Sequence, residues 1–511
     1  MIQNAPGVKD ARPVGNGLRC DKFATRKIIR VRINPPMKLA VYSGSRFWLH
    51  FLPALTWVAA IFSTGCAGGG ARAPEPTTPE ETYANPQAYP SPYQSATPPR
   101  QPAATPKPVP PPVARVALGI DVLAAENFSY LQGRRVGLLT HPAGVNRDGV
   151  STIDILRRAP GVKLVALFGP EHGLYGDEAA GNPVANRVDK KTGLPVYSLY
   201  GDFRKPTPDM LKGVDVMVVD LQDIGTRSYT FISCLRKTME ACFEQNITVV
   251  VLDRPNPLGG LKVGGPIIED KWLSYVGDYR VPYVFGLTIG ELAQMAKDNP
   301  GWLDVPENVR VSGKLIVVPM NGWRRSMIWQ DTGLKWAPTS PNIPTVGAAF
   351  GYSLAGLAGA INTAKFQHGV GTAYPFRFLN YPNRRPADVA ATMNALNLAG
   401  LNFVSYTYRD AEGTERSGVY VNITDWNAVE PTRLAFEMMK LDAAWNPNGN
   451  PYGKLSGTEA NSFEKYVGST AWFQEISTKG RRADVAAFFR TWDAQDAAFQ
   501  QWSQRWWIYP K

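Results

Sequence analysis

Short aliphatic runs, each stopping abruptly at polar residues, recur through the middle of this chain. Residues 135–140 read RVGLLT and lead to His141-Pro142, and 163–169 read KLVALFG and lead to Pro170-Glu171-His172-Gly173. Residues 214–219 (VDVMVV) end at Asp220-Leu221-Gln222-Asp223, and 247–252 (ITVVVL) end at Asp253-Arg254-Pro255-Asn256-Pro257. Unbroken Val/Leu/Ile runs of this length read as parallel strands buried on both faces. Further strands are expected at 195–199 and 315–319, with helices at 152–158, 229–245 and 288–298 between them. This alternation predicts an α/β domain with a Rossmann-like, mostly parallel sheet. The carboxyl ends of such strands line one crevice where ligands bind. Glu171, His172, Asp220, Gln222, Asp223, Asp253 and Arg254 are therefore expected along one rim, a composition that predicts an enzyme.

Beyond that domain the pattern changes. Residues 321–380 are rich in Gly, Pro, Asn and Trp and read as long ordered loops. Helices follow at 386–398, 431–445 and 483–506, with strands at 402–408 and 419–423, which predicts a smaller α+β domain. The expected division is a Rossmann-like domain at 116–380 and the smaller domain at 381–511. The aromatic tail (Trp492, Trp502, Trp506, Trp507, Tyr509) reads as core packing.

Ahead of the folded part, 67–115 are rich in Pro, Thr and Ala and predict a semi-rigid tether. Residues 1–66 read as a leader: Lys38 and Arg46, an apolar stretch at 47–62, then Ser63-Thr64-Gly65-Cys66. A positive segment, an apolar segment and small residues before a cut make a secretory signal. Cysteine directly after Thr-Gly looks like a bacterial lipobox with Cys66 lipidated; the alternative is a simple anchor. The expectation is an exported, membrane-anchored lipoprotein, in the periplasm or at the outer membrane if the cell is Gram-negative, starting at Met1 or Met37.

Composition narrows the function. The 511 residues are 44% apolar and carry a formal charge of +12, but residues 1–50 alone hold ten Lys/Arg against two Asp. A nucleic-acid face needs its charge on the folded domain, so nucleic acid is not an expected partner. No G-x-G-x-x-G follows a strand and no G-x-x-x-x-G-K-[ST] occurs, which argues against dinucleotide or NTP cofactors. With four histidines and no H-E-x-x-H, no metal is expected. Cys234 and Cys242 fall on one predicted helix, about 12 Å apart at ~1.5 Å per residue, too far to bridge.

Three strand-end motifs carry the chemistry. In Gly169-Pro170-Glu171-His172-Gly173 the flanking glycines permit a sharp turn, presenting Glu171 as a general acid or as a brace paired with an arginine. His172 is a proton shuttle, a donor to substrate or a structural residue. In Asp220-Leu221-Gln222-Asp223-Ile224-Gly225-Thr226-Arg227, two carboxylates, an amide and a guanidinium suit a polar substrate; a divalent cation is the rival use of the acids. In Asp253-Arg254-Pro255-Asn256-Pro257 the prolines stiffen a loop that either meets substrate or closes an internal Asp–Arg clamp.

The series HP, FGPEHG, TGLPVYSLYG, DLQDIGTRSYT, LDRPNPLGG, TIGELA, GWRRSM, DTGLKW and SPNIPT resembles the bacterial exo-β-N-acetylmuramidases of NamZ type, from about 141 to 345 and more weakly beyond. The resemblance implies a Rossmann-like domain beside a smaller C-terminal one, with the site between them. It implies release of N-acetylmuramic acid from the non-reducing ends of peptidoglycan fragments or muropeptides, without a cofactor. On it, Glu171 matches the catalytic glutamate, with Asp223 or Asp220 as base, nucleophile or orienter of the substrate's acetamido group. His141, His172, Gln222, Arg227, Asp253, Arg254, Asn256 and His368 are its expected substrate-binding positions. One segment departs: where family members carry Gly-Arg-Gly-Thr, this chain reads Gly369-Val370-Gly371-Thr372, and an upstream acid is absent. If that arginine holds the lactyl carboxylate, Lys365, Arg227 or Arg254 must replace it. Two rival readings are a non-catalytic lipoprotein that binds cell-wall fragments and a metal-dependent ester or phosphate hydrolase.

Overall fold

The structure is a computed structural model and describes residues 115–176, 178 and 185–511. The expected leader, the lipidation site Cys66 and nearly all of the tether lie outside the described residues.

Seven strands form one sheet: β1 (Arg135–Thr140), β2 (Lys163–Gly169), β3 (Arg187–Val188), β4 (Pro195–Ser198), β5 (Val216–Asp220), β6 (Thr248–Leu252) and β7 (Leu315–Val318). Their order is β3-β4-β2-β1-β5-β6-β7. All pair in parallel except the short edge strand β3, which runs antiparallel to β4. The α/β, mostly parallel sheet predicted from the aliphatic runs is the one observed. Period-two alternation divides β5 between two cores: Val216 and Val218 face the helices Gly119–Ala125 and Thr152–Arg158, while Met217 and Val219 face Phe231–Glu244 and Ile289–Asp298. Chain order reverses between β1 and β5, the switch point of a doubly wound sheet.

A smaller second sheet has the order β8-β10-β9, with β8 (Phe378–Leu379), β9 (Leu401–Arg409) and β10 (Glu415–Ile423) all antiparallel. Helix Pro386–Asn394 packs against it, and Arg433–Trp445 packs instead against the helices Val346–Ala355, Thr470–Lys479 and Val485–Ser503; both Pro386–Asn394 and Arg433–Trp445 were expected from the sequence. Five helices were not anticipated: Val346–Ala355 inside the stretch read as loops, the short Gly119–Ala125 and Glu307–Ser312, and the pair Gly457–Val467 and Thr470–Lys479. The first is almost wholly apolar and small, so it carries no amphipathic stripe to betray it; Thr345 caps its start by accepting from the Ala348 amide at 3.2 Å. The long last helix, Val485–Ser503, returns the chain to the first domain, where the Tyr509 hydroxyl accepts from the Met320 amide at 3.0 Å. Cys234 and Cys242 are both buried free thiols on Phe231–Glu244, and burial pushes Cys234 up to about 12.

Candidate active site

The loops after β1, β2, β5 and β6 share one rim, as predicted, but their side chains divide into two groups. In the first, the side chains are mostly spent within the protein, although His141 Nδ1, Gln222 Oε1 and Arg227 Nε are buried without hydrogen-bond partners among the described residues. Asp220, with no exposed surface, accepts Arg254 Nε at 2.6 Å and Arg254 Nη2 at 2.9 Å, and takes the Thr152 hydroxyl at 2.5 Å. Arg254 Nη2 also donates to the Val145 carbonyl at 2.6 Å. This is a buried bidentate pair whose carboxylate also takes a hydroxyl donor.

Asp253 is equally buried and fully occupied. It accepts the amides of Arg254 at 3.0 Å and Gly290 at 2.8 Å, the Thr288 hydroxyl at 2.7 Å and the Tyr509 hydroxyl at 2.5 Å. Desolvation pushes its carboxyl up to about 6 despite the Tyr509 bond, with the nearby Glu291 charge adding to the rise. Asn256 closes its own turn, donating to the Leu287 carbonyl at 3.0 Å and accepting the Leu258 amide at 3.0 Å.

At the switch point, His141 Nε2 accepts the Gln222 amide at 2.9 Å. That bond puts the ring proton on Nδ1, and burial, with the Arg254 charge adding, holds the imidazole well below its ordinary range. Gln222 donates to the carbonyls of Asp223 and Pro255 at 2.8 and 2.9 Å. Arg227, fully buried, donates to the carbonyls of Pro266, Val281, Tyr466 and Val467, so it ties the first domain to the end of helix Gly457–Val467. A cavity of about 260 Å³ beside the switch point is lined in part by Gln222, Arg254, Arg147, Trp329 and Trp336, and not by Glu171.

The second group gathers where residues of both domains meet. Glu171 is half-buried, and its Oε2 accepts the Thr230 hydroxyl at 2.8 Å. Tyr200 also hydrogen-bonds to it. Behind it, His172 adopts φ +70° and Gly173 φ +76°, the left-handed turn that directs the glutamate outward. The His172 Nδ1 donates to the Glu178 carbonyl at 3.0 Å. After burial, the Glu171 charge is a further cause raising the hydroxyls of Tyr200, Tyr229, Tyr275, Tyr352 and Tyr466. These five tyrosines come from five separate segments and both domains.

Asp223 is the other acid with capacity to spare. Its Oδ2 accepts the Gly225 amide at 2.6 Å, while Oδ1 is buried without a hydrogen-bond partner among the described residues. Burial pushes this carboxyl up to about 7, against the amide bonds from Gly225 and Ile224. Both Asp223 and Glu171 act on the Tyr229 hydroxyl, which donates to Thr339 Oγ1 at 3.0 Å. Glu171 and Asp223 are thus two acids in different environments, the arrangement by which one site can divide acid work from charge stabilisation.

Against this geometry, similarity to known proteins runs through most of the chain, from residue 136 to 509. Residues 136–347 match the family described as exo-beta-N-acetylmuramidase NamZ, N-terminal, and residues 350–509 match its C-terminal counterpart. The peptidoglycan beta-N-acetylmuramidase NamZ of Bacillus subtilis (strain 168) is 42% identical over 330 residues, spanning 64% of this chain and 77% of that protein. The chain belongs to the NamZ family. A crystal structure of a DUF1343 family protein from Bacteroides fragilis NCTC 9343 superimposes with a TM-score of 0.69 at 39% identity, covering 78% of this chain and all of that one. A second from the same strain, at 24% identity and a TM-score of 0.57 over 78% of this chain and all of that one, shares the fold.

Within this NamZ-family chain, Glu171 and Asp223 lie in the N-terminal portion, whereas Tyr352 and Tyr466 approach Glu171 from the C-terminal portion. Thr230 and Tyr229 sit inside the DLQDIGTRSYT motif and Tyr200 inside TGLPVYSLYG, so sequence flagged their neighbourhoods. Tyr275, Tyr352 and Tyr466 had no local signal. His368 packs beside Gly359 in the second domain; both ring nitrogens are buried without hydrogen-bond partners among the described residues, and burial pushes it down to about 4. In the divergent segment Val370 is 40% exposed, and the Lys365 amide donates to Asp442.

Proposed function

We propose that this chain is an exo-acting glycoside hydrolase that removes N-acetylmuramic acid from the non-reducing ends of peptidoglycan fragments. The observation that carries the reading is a half-buried glutamate held by two hydroxyls inside a ring of tyrosines, in a chain of the NamZ family. Glu171 delivers a proton to the glycosidic oxygen as the bond breaks, and the tyrosine rings and hydroxyls receive the sugar's apolar faces and hydroxyls. Asp223 stands behind as the partner acid: buried beside Tyr229, its carboxylate supports the positive charge that develops at the anomeric carbon. Asp220, Asp253, Arg254, Arg227 and Asn256 act one step away, by fixing the loops that aim Glu171 and Asp223. Among the described residues, no cluster of three or more His, Cys, Asp or Glu side chains is placed to hold a metal ion.

Incubation with peptide-free disaccharides of defined terminal sugar, followed by mass analysis, tests the reading. Release of free N-acetylmuramic acid, undiminished by EDTA, is expected; binding without cleavage, or loss of activity on chelation, overturns it. We further propose export and lipid anchoring at Cys66, which suits a substrate outside the cytoplasm. Among the described residues no helix is long and apolar enough to cross a membrane. Metabolic labelling of cells with a clickable fatty acid is expected to mark the wild-type chain and not Cys66→Ser.

A further inference from the structure

N-acetylmuramic acid differs from N-acetylglucosamine by a lactyl ether that ends in a carboxylate, and recognising that charge requires a cation beside the acid. Two guanidinium groups supplied by the rim motifs are already committed: Arg254 to Asp220 and the Val145 carbonyl, Arg227 to four backbone carbonyls. Arg204 is different. It is exposed, and its guanidinium lies 4.6 Å from the ring centroid of Tyr275 and 5.8 Å from that of Tyr200. The Tyr200 side chain is the one hydrogen-bonded to Glu171, and the charges of Arg204 and Glu171 act on both tyrosine hydroxyls in opposite directions. Arg204 makes no ion pair with any described carboxylate. Stacking on two rings holds the planar group in place while leaving its N–H fork open.

We propose that Arg204 determines specificity by receiving the free lactyl carboxylate of the terminal sugar bound against Glu171, an inference that rests on the muramidase reading. A planar guanidinium pairs with a carboxylate through two parallel hydrogen bonds. When a peptide stem occupies the lactyl group, that carboxylate has become an amide and the pair cannot form. The site therefore favours muramic ends from which the stem has been removed.

The test uses an aryl β-N-acetylmuramide with a free lactyl acid and the same compound as its lactyl methyl ester, with the full chain and the variants Arg204→Leu and Arg204→Lys. One charge-assisted pair at a partly solvated site corresponds to about a tenfold change. The wild type is expected to show a KM about tenfold lower for the acid than for the ester. Arg204→Leu is expected to raise KM on the acid about tenfold with kcat little changed, abolishing the discrimination, and Arg204→Lys to recover part of it. An Arg204→Leu variant that matches wild type on the acid, or that weakens acid and ester equally, overturns the proposal. A wild type that cleaves both compounds without distinguishing them also overturns it, while leaving the muramidase reading intact. A wild type inert on both overturns that reading, and this inference with it.

Discussion

Asp220 and Asp253 stand at the ends of adjacent strands on the same rim as Glu171 and Asp223, yet the two pairs behave as different chemical species. The carboxylates of the first pair accept seven hydrogen bonds from protein donors and keep no oxygen free. In the second pair Glu171 is half-buried and Asp223 retains a bare oxygen. Parallel strands deliver acids to a common edge, but what each acid meets there decides whether it braces the edge or acts from it. Asp220 has the parity of Val216 and Val218, so it points toward helix Thr152–Arg158 and finds Thr152 and Arg254. Glu171 leaves its strand through a left-handed turn and meets hydroxyls instead.

The sharpest way to break this comparison is to neutralise one member of each pair. Glu171→Gln is expected to lower kcat on an aryl muramide by about 10²–10⁴-fold, the usual worth of a positioned acid, with the thermal midpoint unchanged. Asp220→Asn is expected to do the reverse. It strands the buried Arg254 charge, and removing one partner of a buried pair costs about 3–5 kcal/mol, read as a lower urea midpoint. Equal destabilisation by both substitutions would erase the distinction.

Asp223 sharpens the comparison through pH. Its carboxyl is near the ordinary 3.8 when unfolded and at about 7 when folded, so the folded state holds the extra proton between those values. The associated stability is complete below pH 3.8 and is lost as pH rises through 7. Asp253, Asp278 and Asp496 are also raised, to about 6, 6 and 8, and titrate in an overlapping range. The informative quantity is thus the difference between wild type and Asp223→Asn. Melting temperatures from pH 4 to 8 are expected to fall more steeply in the wild type, by up to about 4 kcal/mol in stability at 1.36 kcal/mol per pKa unit. Activity is expected to move oppositely: wild-type kcat/KM rises through pH 7 as Asp223 ionises, and the variant loses that limb. A limb that survives the substitution removes Asp223 from the proposed role.

The aliphatic runs made the parallel sheet, its strands and the shared rim legible, because burial on both faces writes itself into sequence as unbroken Val, Leu and Ile. The motifs also marked Glu171 and Asp223. What they did not show was that Asp253 would be claimed by Tyr509, a residue 256 positions away, or that Arg227 would anchor helix Gly457–Val467. Helix Val346–Ala355 was hidden for a compositional reason, and with it Tyr352 near Glu171.

Sequence by itself determined the strand pattern, the grouping of polar residues at strand ends and the family to which those motifs belong. Each of these is local: periodicity, turn chemistry and the order of short segments. Tertiary structure alone decided which acids are spent and which are available. A carboxylate's function depends on the donors around it, and here those donors arrive from remote segments through folding.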